Sequence, residues 1–114
     1  GESNLLPVEI DGETVRFQGI ALRVSEIIKP KNGGVVLSIR PEDVALSPES
    51  GEGMNALAMT VNFLRDLGES VQVLLEGHGT TLTAKISKAD RALYRQGQRV
   101  AAVLPPEACR VVPA

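Results

Sequence analysis

The residue types that do chemistry are sparse in this chain, and none stands in the company a reaction needs. Glu42 and Asp43 come nearest to a carboxylate pair. General acid and base work requires two carboxyls held across a substrate, whereas adjacent side chains in a turning segment diverge, so these two read as solvated or turn-capping groups. The one histidine, His78, lies between Gly77 and Gly79, in an expected exposed hairpin loop whose flexible backbone suits neither a preorganised base nor a metal ligand. Cys109, the one cysteine, lies among Ala108, Val111 and Val112. It has no internal disulfide partner and no Cys/His spacing for zinc, and its surroundings are those of a buried, inert thiol. Gly51-Glu52-Gly53 has a GxG look but lacks a following Lys-Ser/Thr and a strand-to-helix context. Lys29 and Lys31, on either side of Pro30, read as charges on a solvated edge. The sequence therefore assigns no catalytic residue, no cofactor-binding residue and no metal ligand.

Composition narrows the remaining classes. Among 114 residues, 43% are hydrophobic and 23% charged, which places the chain outside the disordered class and gives it enough apolar surface for one core. Twelve basic against fourteen acidic residues leave a net charge of -2, and aromatics supply only 3%. Neither the basic field nor the stacking platforms of a nucleic-acid binder are present, so no nucleic-acid partner is expected. The chain has no apolar run of membrane-spanning length, and Gly1-Glu2-Ser3-Asn4 lacks the pattern of a signal peptide. A soluble domain, cytosolic or facing the cytosol, is expected.

The elements that would position these residues are short strands. Eleven glycines and seven prolines fall between brief apolar stretches, the spacing of an all-β domain. Pro7 to Ile10 and Thr14 to Phe17 flank a hairpin signal at Asp11-Gly12. Ile20, Leu22 and Val24 alternate with polar or small residues, as do Val35, Leu37 and Ile39. Residues 54–67 fit both helical and strand spacing; Thr60, Val61 and Phe63 favour a strand with Leu57, Met59, Val61 and Phe63 on one face. Strands follow at Val71 to Leu75 and Leu82 to Ile86, separated by a loop at Glu76-Gly77-His78-Gly79. Ser87 to Gly97 is the one expected helix, with Ser87 and Asp90 forming a box-like cap and Gly97 the stop. Val100 to Leu104 and Ala108 to Val112 complete the chain. The result is a small barrel or sandwich, built as two intertwined halves with a boundary in the loop at 47–53.

Arg40 ends an apolar strand and precedes Pro41, Glu42 and Asp43. A guanidinium there can lock the turn through the two acids, or serve a protein contact. This run, within Val36-Leu37-Ser38-Ile39-Arg40-Pro41-Glu42-Asp43-Val44, also carries a resemblance. Together with 55–68 and the Gly97-Gln98-Arg99-Val100 strand, it resembles the C-terminal transport-associated OB-type (TOBE) domain of bacterial ABC importer ATP-binding subunits of the maltose, polyamine and ferric-ion type. Arg40, Pro41, Glu42 and Asp43 match that family's IRPE-type turn. Phe63, Leu64 and Leu67-Gly68 resemble its FLG element, with Arg65 and Asp66 intervening here.

The resemblance implies an all-β fold of small OB-like barrels with one short helix, spanning 1–114. It implies a non-enzymatic regulatory and dimerisation role, with Arg40, Pro41, Glu42, Asp43, Phe63, Leu64 and Gly68 as structural or interface candidates. Any ATP and Mg would belong to a separate ATPase domain of the parent subunit. The implied partners are a second parent subunit in a homodimer, importer membrane subunits, and a regulatory protein or small solute. The implied location is the cytoplasmic face of the inner membrane. The alternative is a small-ligand or oxyanion-binding OB-type module, for which Ser38, Lys85 and Ser87 are the polar candidates.

Overall fold

The structure, a computed structural model, describes residues 2–49 and 51–114; Gly1 and Ser50 lie outside the described residues. Eleven strands follow one another among the described residues: β1 (Asn4–Asp11), β2 (Thr14–Phe17), β3 (Ile20–Leu22), β4 (Glu26–Ile27), β5 (Val35–Ile39), β6 (Ala45–Ser47), β7 (Ala56–Asp66), β8 (Ser70–Gly77), β9 (Thr80–Ser87), β10 (Arg99–Val103) and β11 (Arg110–Pro113). They form two sheets, ordered β3-β2-β1-β5-β11-β4 and β6-β10-β7-β8-β9. All neighbours are antiparallel except β11 and β4. The architecture is all-β and OB-like.

Hairpin chemistry sets much of this layout. Gln18-Gly19 and His78-Gly79 each present two positive φ values, 49° and 80° in the first pair, 52° and 70° in the second. That is the torsion pattern of a type I′ turn, whose twist matches the flanking strands. The first hairpin turns on Gly12-Glu13, one residue later than the Asp11-Gly12 signal, because Asp11 still pairs with Thr14. Likewise Glu76 and Gly77 belong to β8 and pair with Thr81 and Thr80, so only two residues of the expected four-residue loop are unpaired.

Alternating apolar residues line a continuous core. Leu6, Phe17, Leu37 and Val111 from the first sheet, Leu57, Val71, Val73, Leu75 and Ala102 from the second, and Leu104 just past the end of β10 are fully buried. Burying a residue of this kind contributes roughly 1.5–3 kcal/mol, which is what sets the register of each strand. The expected strand over Ile20 to Ser25 ends at Leu22, since the Arg23 N–H is bonded to the Asn55 side chain instead of a neighbouring strand.

The chain passes from the first sheet to the second through residues 40–44 and returns through 104–109. The expected boundary at 47–53 instead falls inside the second sheet, between β6 and β7. β11, last in sequence, returns to lie beside β5 in the first sheet.

The expected helix at Ser87–Gly97 is a 3-10 helix over Lys88–Leu93, and Ser87 makes no side-chain capping bond. Two forces shorten and tighten it. The Tyr94 N–H returns to the Arg91 carbonyl at 3.3 Å, the three-residue spacing of a 3-10 turn. Beyond it, the Gly97 N–H donates to the Val61 carbonyl and the Val61 N–H to the Gln98 carbonyl, both at 2.8 Å, drawing the chain flat against β7. Two shorter 3-10 turns occupy Pro41–Asp43 and Pro106–Ala108, at the two passages between sheets.

Candidate functional site

The turn at Arg40 to Asp43 is closed by its backbone. Pro41 presets the first torsion, the Asp43 N–H donates to the Arg40 carbonyl at 3.0 Å, and the Val44 N–H donates to the Pro41 carbonyl at 3.3 Å. Arg40, Glu42 and Asp43 are exposed, and the Arg40 guanidinium makes no ion pair or hydrogen bond among the described residues. The expected side-chain lock is therefore absent, because a proline turn with its carbonyls already satisfied does not need one.

Pro41 and Glu42 line an open cleft of about 300 Å³ together with Leu67, Gln72, Thr83 and Lys85. From the two stretches singled out separately in the sequence, Pro41, Glu42 and Leu67 reach one place, while Arg40, Asp43, Phe63, Leu64 and Gly68 stay off the cleft wall. Gly68, with φ 97°, turns β7 into β8, and its N–H donates to the Asp66 carboxylate at 2.8 Å. The cleft is bordered by the start of β1, where Asn4 imitates a strand. Its side chain accepts from the Thr83 N–H and donates to the Thr83 carbonyl, both at 2.8 Å, satisfying the outer edge of β9.

Phe63 and Leu64 exchange the places expected of them. Val61 pairs with Leu75 and Phe63 with Leu74, so Asn62 is an extra residue in β7. This β-bulge shifts the alternation by one. Leu64 turns inward and half-buried, while Phe63, expected beside Val61 in the core, is 38% exposed.

Asn55 is the buried polar residue that sequence reasoning missed. It is 2% exposed and holds φ 59°. Its amide oxygen accepts from the Arg23 N–H at 2.8 Å, and its amide nitrogen donates to the Arg23 and Leu104 carbonyls at 2.7 Å each. The connector after β3 and the end of β10 are joined through this one side chain. The available signal was modest: Asn tolerates the left-handed region better than most residues, and Asn55 opens the longest strand.

His78 is half-buried and sits against the other hairpin. Its ring meets Phe17 edge-on, with centroids 6.0 Å apart and planes at 72°, and the Gln18 amide donates to its carbonyl. Its Nε2 is buried with no partner among the described residues. The expected exposed loop histidine is thus a contact between the tips of two hairpins.

Cys109 is buried, with its thiol directed at the Pro105 carbonyl at 3.3 Å. Burial, assisted by the nearby Glu107 charge, pushes the thiol up to about 11 from an ordinary 9.0. The folded state favours the protonated thiol, so its stabilising contribution is complete below pH 9 and is lost as pH rises toward about 11. At pH near 8, a thiol reagent is expected to label native protein at least about a hundredfold more slowly than protein in denaturant, since only a thiolate attacks. Timed absorbance of the released chromophore checks this, and equal rates would contradict it. Tyr94, raised by burial and by Asp90, donates its hydroxyl to the Leu46 carbonyl at 2.9 Å.

A wider opening of about 790 Å³ lies between the β2 and β3 edge and the β4 segment, with Val15, Leu22, Val24, Ile27 and Met54 among its walls. No cluster of three His, Cys, Asp or Glu suited to a metal occurs among the described residues. Ser38 lies on β5 in the first sheet, while Lys85 and Ser87 lie on β9 in the second. The arrangement offers contact surface and shallow clefts.

A family profile described as TOBE domain matches residues 37–112. The sn-glycerol-3-phosphate import ATP-binding protein UgpC of Chromohalobacter salexigens is 33% identical over 110 residues, covering 95% of this chain. This chain spans 29% of that relative's length. Among solved structures, the cytoplasmic molybdate-binding protein ModG, with molybdate bound, superposes with a TM-score of 0.62 at 23% identity. The overlap covers 71% of this chain and 62% of that one, and it shows a shared fold. No helix among the described residues is long and apolar enough to cross a membrane.

Proposed function

The chain belongs to the TOBE domain family, and from that premise we propose that it is the C-terminal regulatory and dimerisation domain of an ABC importer ATP-binding subunit. The observation that carries this reading is the 33% identity to an import ATP-binding protein across 95% of this chain. In this role the domain performs no chemistry. It joins two copies of a subunit whose separate ATPase domain binds ATP and Mg, docks with the importer's membrane subunits on the cytoplasmic face of the membrane, and receives a regulatory protein or small solute. The physical support is the character of the surface: open clefts, an exposed aromatic at Phe63, and no converging set of acid, base and nucleophile among the described residues. A chain without a Lys-Ser/Thr phosphate loop has nothing to cradle a triphosphate.

The test compares the isolated chain with the subunit encoded by its full reading frame. The isolated chain is expected to give no heat with Mg-ATP in calorimetry and no phosphate release, while the full subunit hydrolyses ATP. Deleting residues 1–114 is expected to leave the phosphate loop competent but to weaken subunit dimerisation in sedimentation. A reading frame lacking a phosphate loop, or micromolar ATP binding by the isolated chain, overturns the proposal. Micromolar binding of molybdate by the isolated chain would favour the oxyanion module instead.

A further inference from the structure

We propose that Asn32 is a self-modification site: the backbone nitrogen of Gly33 closes on the Asn32 side chain, ammonia leaves, and water opens the resulting ring to aspartate and isoaspartate. Four asparagines stand in the sequence, Asn4, Asn32, Asn55 and Asn62. Three of them are held. The Asn4 amide exchanges two hydrogen bonds with the Thr83 backbone, Asn55 is buried and bonded to the Arg23 and Leu104 backbone, and Asn62 sits in β7 with its amide donating to the Glu76 carboxylate. Each is also followed by a residue with a side chain, Leu5, Ala56 or Phe63. Asn32 differs on both counts. It is exposed in the 28–34 connector between β4 and β5, makes no side-chain hydrogen bond among the described residues, and precedes Gly33.

The reaction needs a side-chain amide carbon, a backbone nitrogen free to approach it, and a chain loose enough to bring the two together. Gly33 supplies the nitrogen. It has no Cβ to obstruct the approach, the space around a Cβ placed there is empty to 4 Å, and its φ of 88° is one that glycine holds without strain. Its N–H makes no backbone hydrogen bond among the described residues, so none has to break before it turns. Lys31 directly before, and Lys29 beyond Pro30, are exposed and form no ion pair among the described residues; their charge favours the deprotonated amide that attacks. That nitrogen gives its proton to solvent base and bonds to Asn32 Cγ. The Cγ–Nδ2 bond breaks, and Nδ2 takes a proton from solvent and departs as ammonia. Water then adds to one of the two ring carbonyls. Cleavage on the Cγ side gives aspartate and cleavage on the main-chain side gives isoaspartate. One water is consumed, one ammonia is released, and no oxidation state changes.

The product changes charge where the chain has little regular structure. Its carboxylate makes the chain one unit more negative than the encoded -2 and sets an acid beside Lys31. Isoaspartate also lengthens the main chain by one carbon. The connector absorbs that carbon, because β5 pairing starts only at Val35, opposite Val8 and Pro113, and Gly34 is tied through its carbonyl alone, to the Ala114 N–H at 3.0 Å. The buried faces that set the register of β5 are untouched. Lys29, Pro30, Gly33 and Gly34 wall an open cleft against Val8 and Ile10, so the new charge alters that surface while the sheets stay as they are. The conversion needs only this chain and water, and its extent records the age of each molecule.

Incubation of the chain at mildly alkaline pH, read by isoelectric focusing and by peptide mapping with mass spectrometry, tests the site. Asn32 is expected to convert at least about tenfold faster than Asn4, Asn55 or Asn62, which react only after local opening. Both isomers are expected, since direct hydrolysis of the amide would give aspartate alone. Native protein is expected to convert at no less than about a third of the rate in denaturant, because the connector has no ladder to open. Gly33→Ala is expected to slow conversion at least about tenfold by setting a Cβ beside the attacking nitrogen. Gly34→Ala fits open space, keeps the Asn-Gly pair, and is expected to leave the rate unchanged. Circular dichroism establishes that each variant is folded. Aspartate without isoaspartate, another asparagine converting first, a native rate below that third, an unslowed Gly33→Ala, or equal slowing by Gly34→Ala overturns the proposal.

Discussion

Replacing Asn55 is expected to cost this domain a large part of its stability, with Asn55→Asp worse than Asn55→Ala, and Asn55→Ala worse than Asn55→Gly. Alanine leaves the Arg23 N–H and two carbonyls without the partner they have now. Each buried backbone group left unpaired costs about 1–3 kcal/mol, less where water reaches it, as it does at exposed Arg23. A further kcal/mol or so comes from holding alanine in the left-handed region. The sum is about 4 kcal/mol against a total stability of about 5–15 kcal/mol. Glycine loses the same bonds but is at ease at φ 59°. Aspartate keeps an acceptor for the Arg23 N–H, yet sets a carboxylate against the two carbonyls that the amide now serves. Urea melts followed by circular dichroism give the order. A loss below about 1 kcal/mol for Asn55→Ala would mean that the bonds are replaced by water and that the residue does not join the halves.

The contrast between Asn55 and its neighbours shows what the sequence makes legible. Strand periodicity is a local record of burial, and it placed the cores of β5, β7, β8 and β9 because each residue there answers to the sheet directly beneath it. The hairpin at Asp11-Gly12 was visible for the same reason, within one residue. The larger failures are long-range. Phe63 carries the inward parity of Val61, and only the extra residue Asn62, set by pairing with a strand that follows it, reverses that parity. Ser87 and Asp90 have the residue types of a helix cap, but bonds from Gly97 and Gln98 to Val61 flatten the chain before a second turn forms. The passage between halves at 40–44 lacks the glycine-rich look of the loop at 47–53, since a proline turn suffices to carry a strand from one sheet to the other. The site was legible in part. Pro41, Glu42 and the Leu67-Gly68 turn were marked by a family pattern, whereas Asn4 and Asn55 act through backbone groups far along the chain that no local motif announces.

Phe17→Ala is expected to produce the other large loss, about 3–5 kcal/mol, the range for truncating a fully buried aromatic. Phe17 has no exposed surface, and its ring also receives His78 from the other sheet at 6.0 Å. The truncation therefore removes core volume from the first sheet and a contact between the sheets in one step. A double-mutant cycle with His78→Ala separates the two contributions. An edge-on aromatic pair is worth about 0.5–1.5 kcal/mol beyond its buried area, so the two losses together should fall short of their sum by about that amount. Because one apolar core runs through both sheets, the loss should lower a single cooperative transition, with fluorescence of Tyr94 in the second half and far-ultraviolet circular dichroism of the whole chain falling together. Two separated transitions in Phe17→Ala would mean that the halves hold independent cores. Strict additivity with His78→Ala would mean that the hairpin tips touch without coupling, leaving the shared core, Asn55, Asn4 and the two chain passages to hold the halves together.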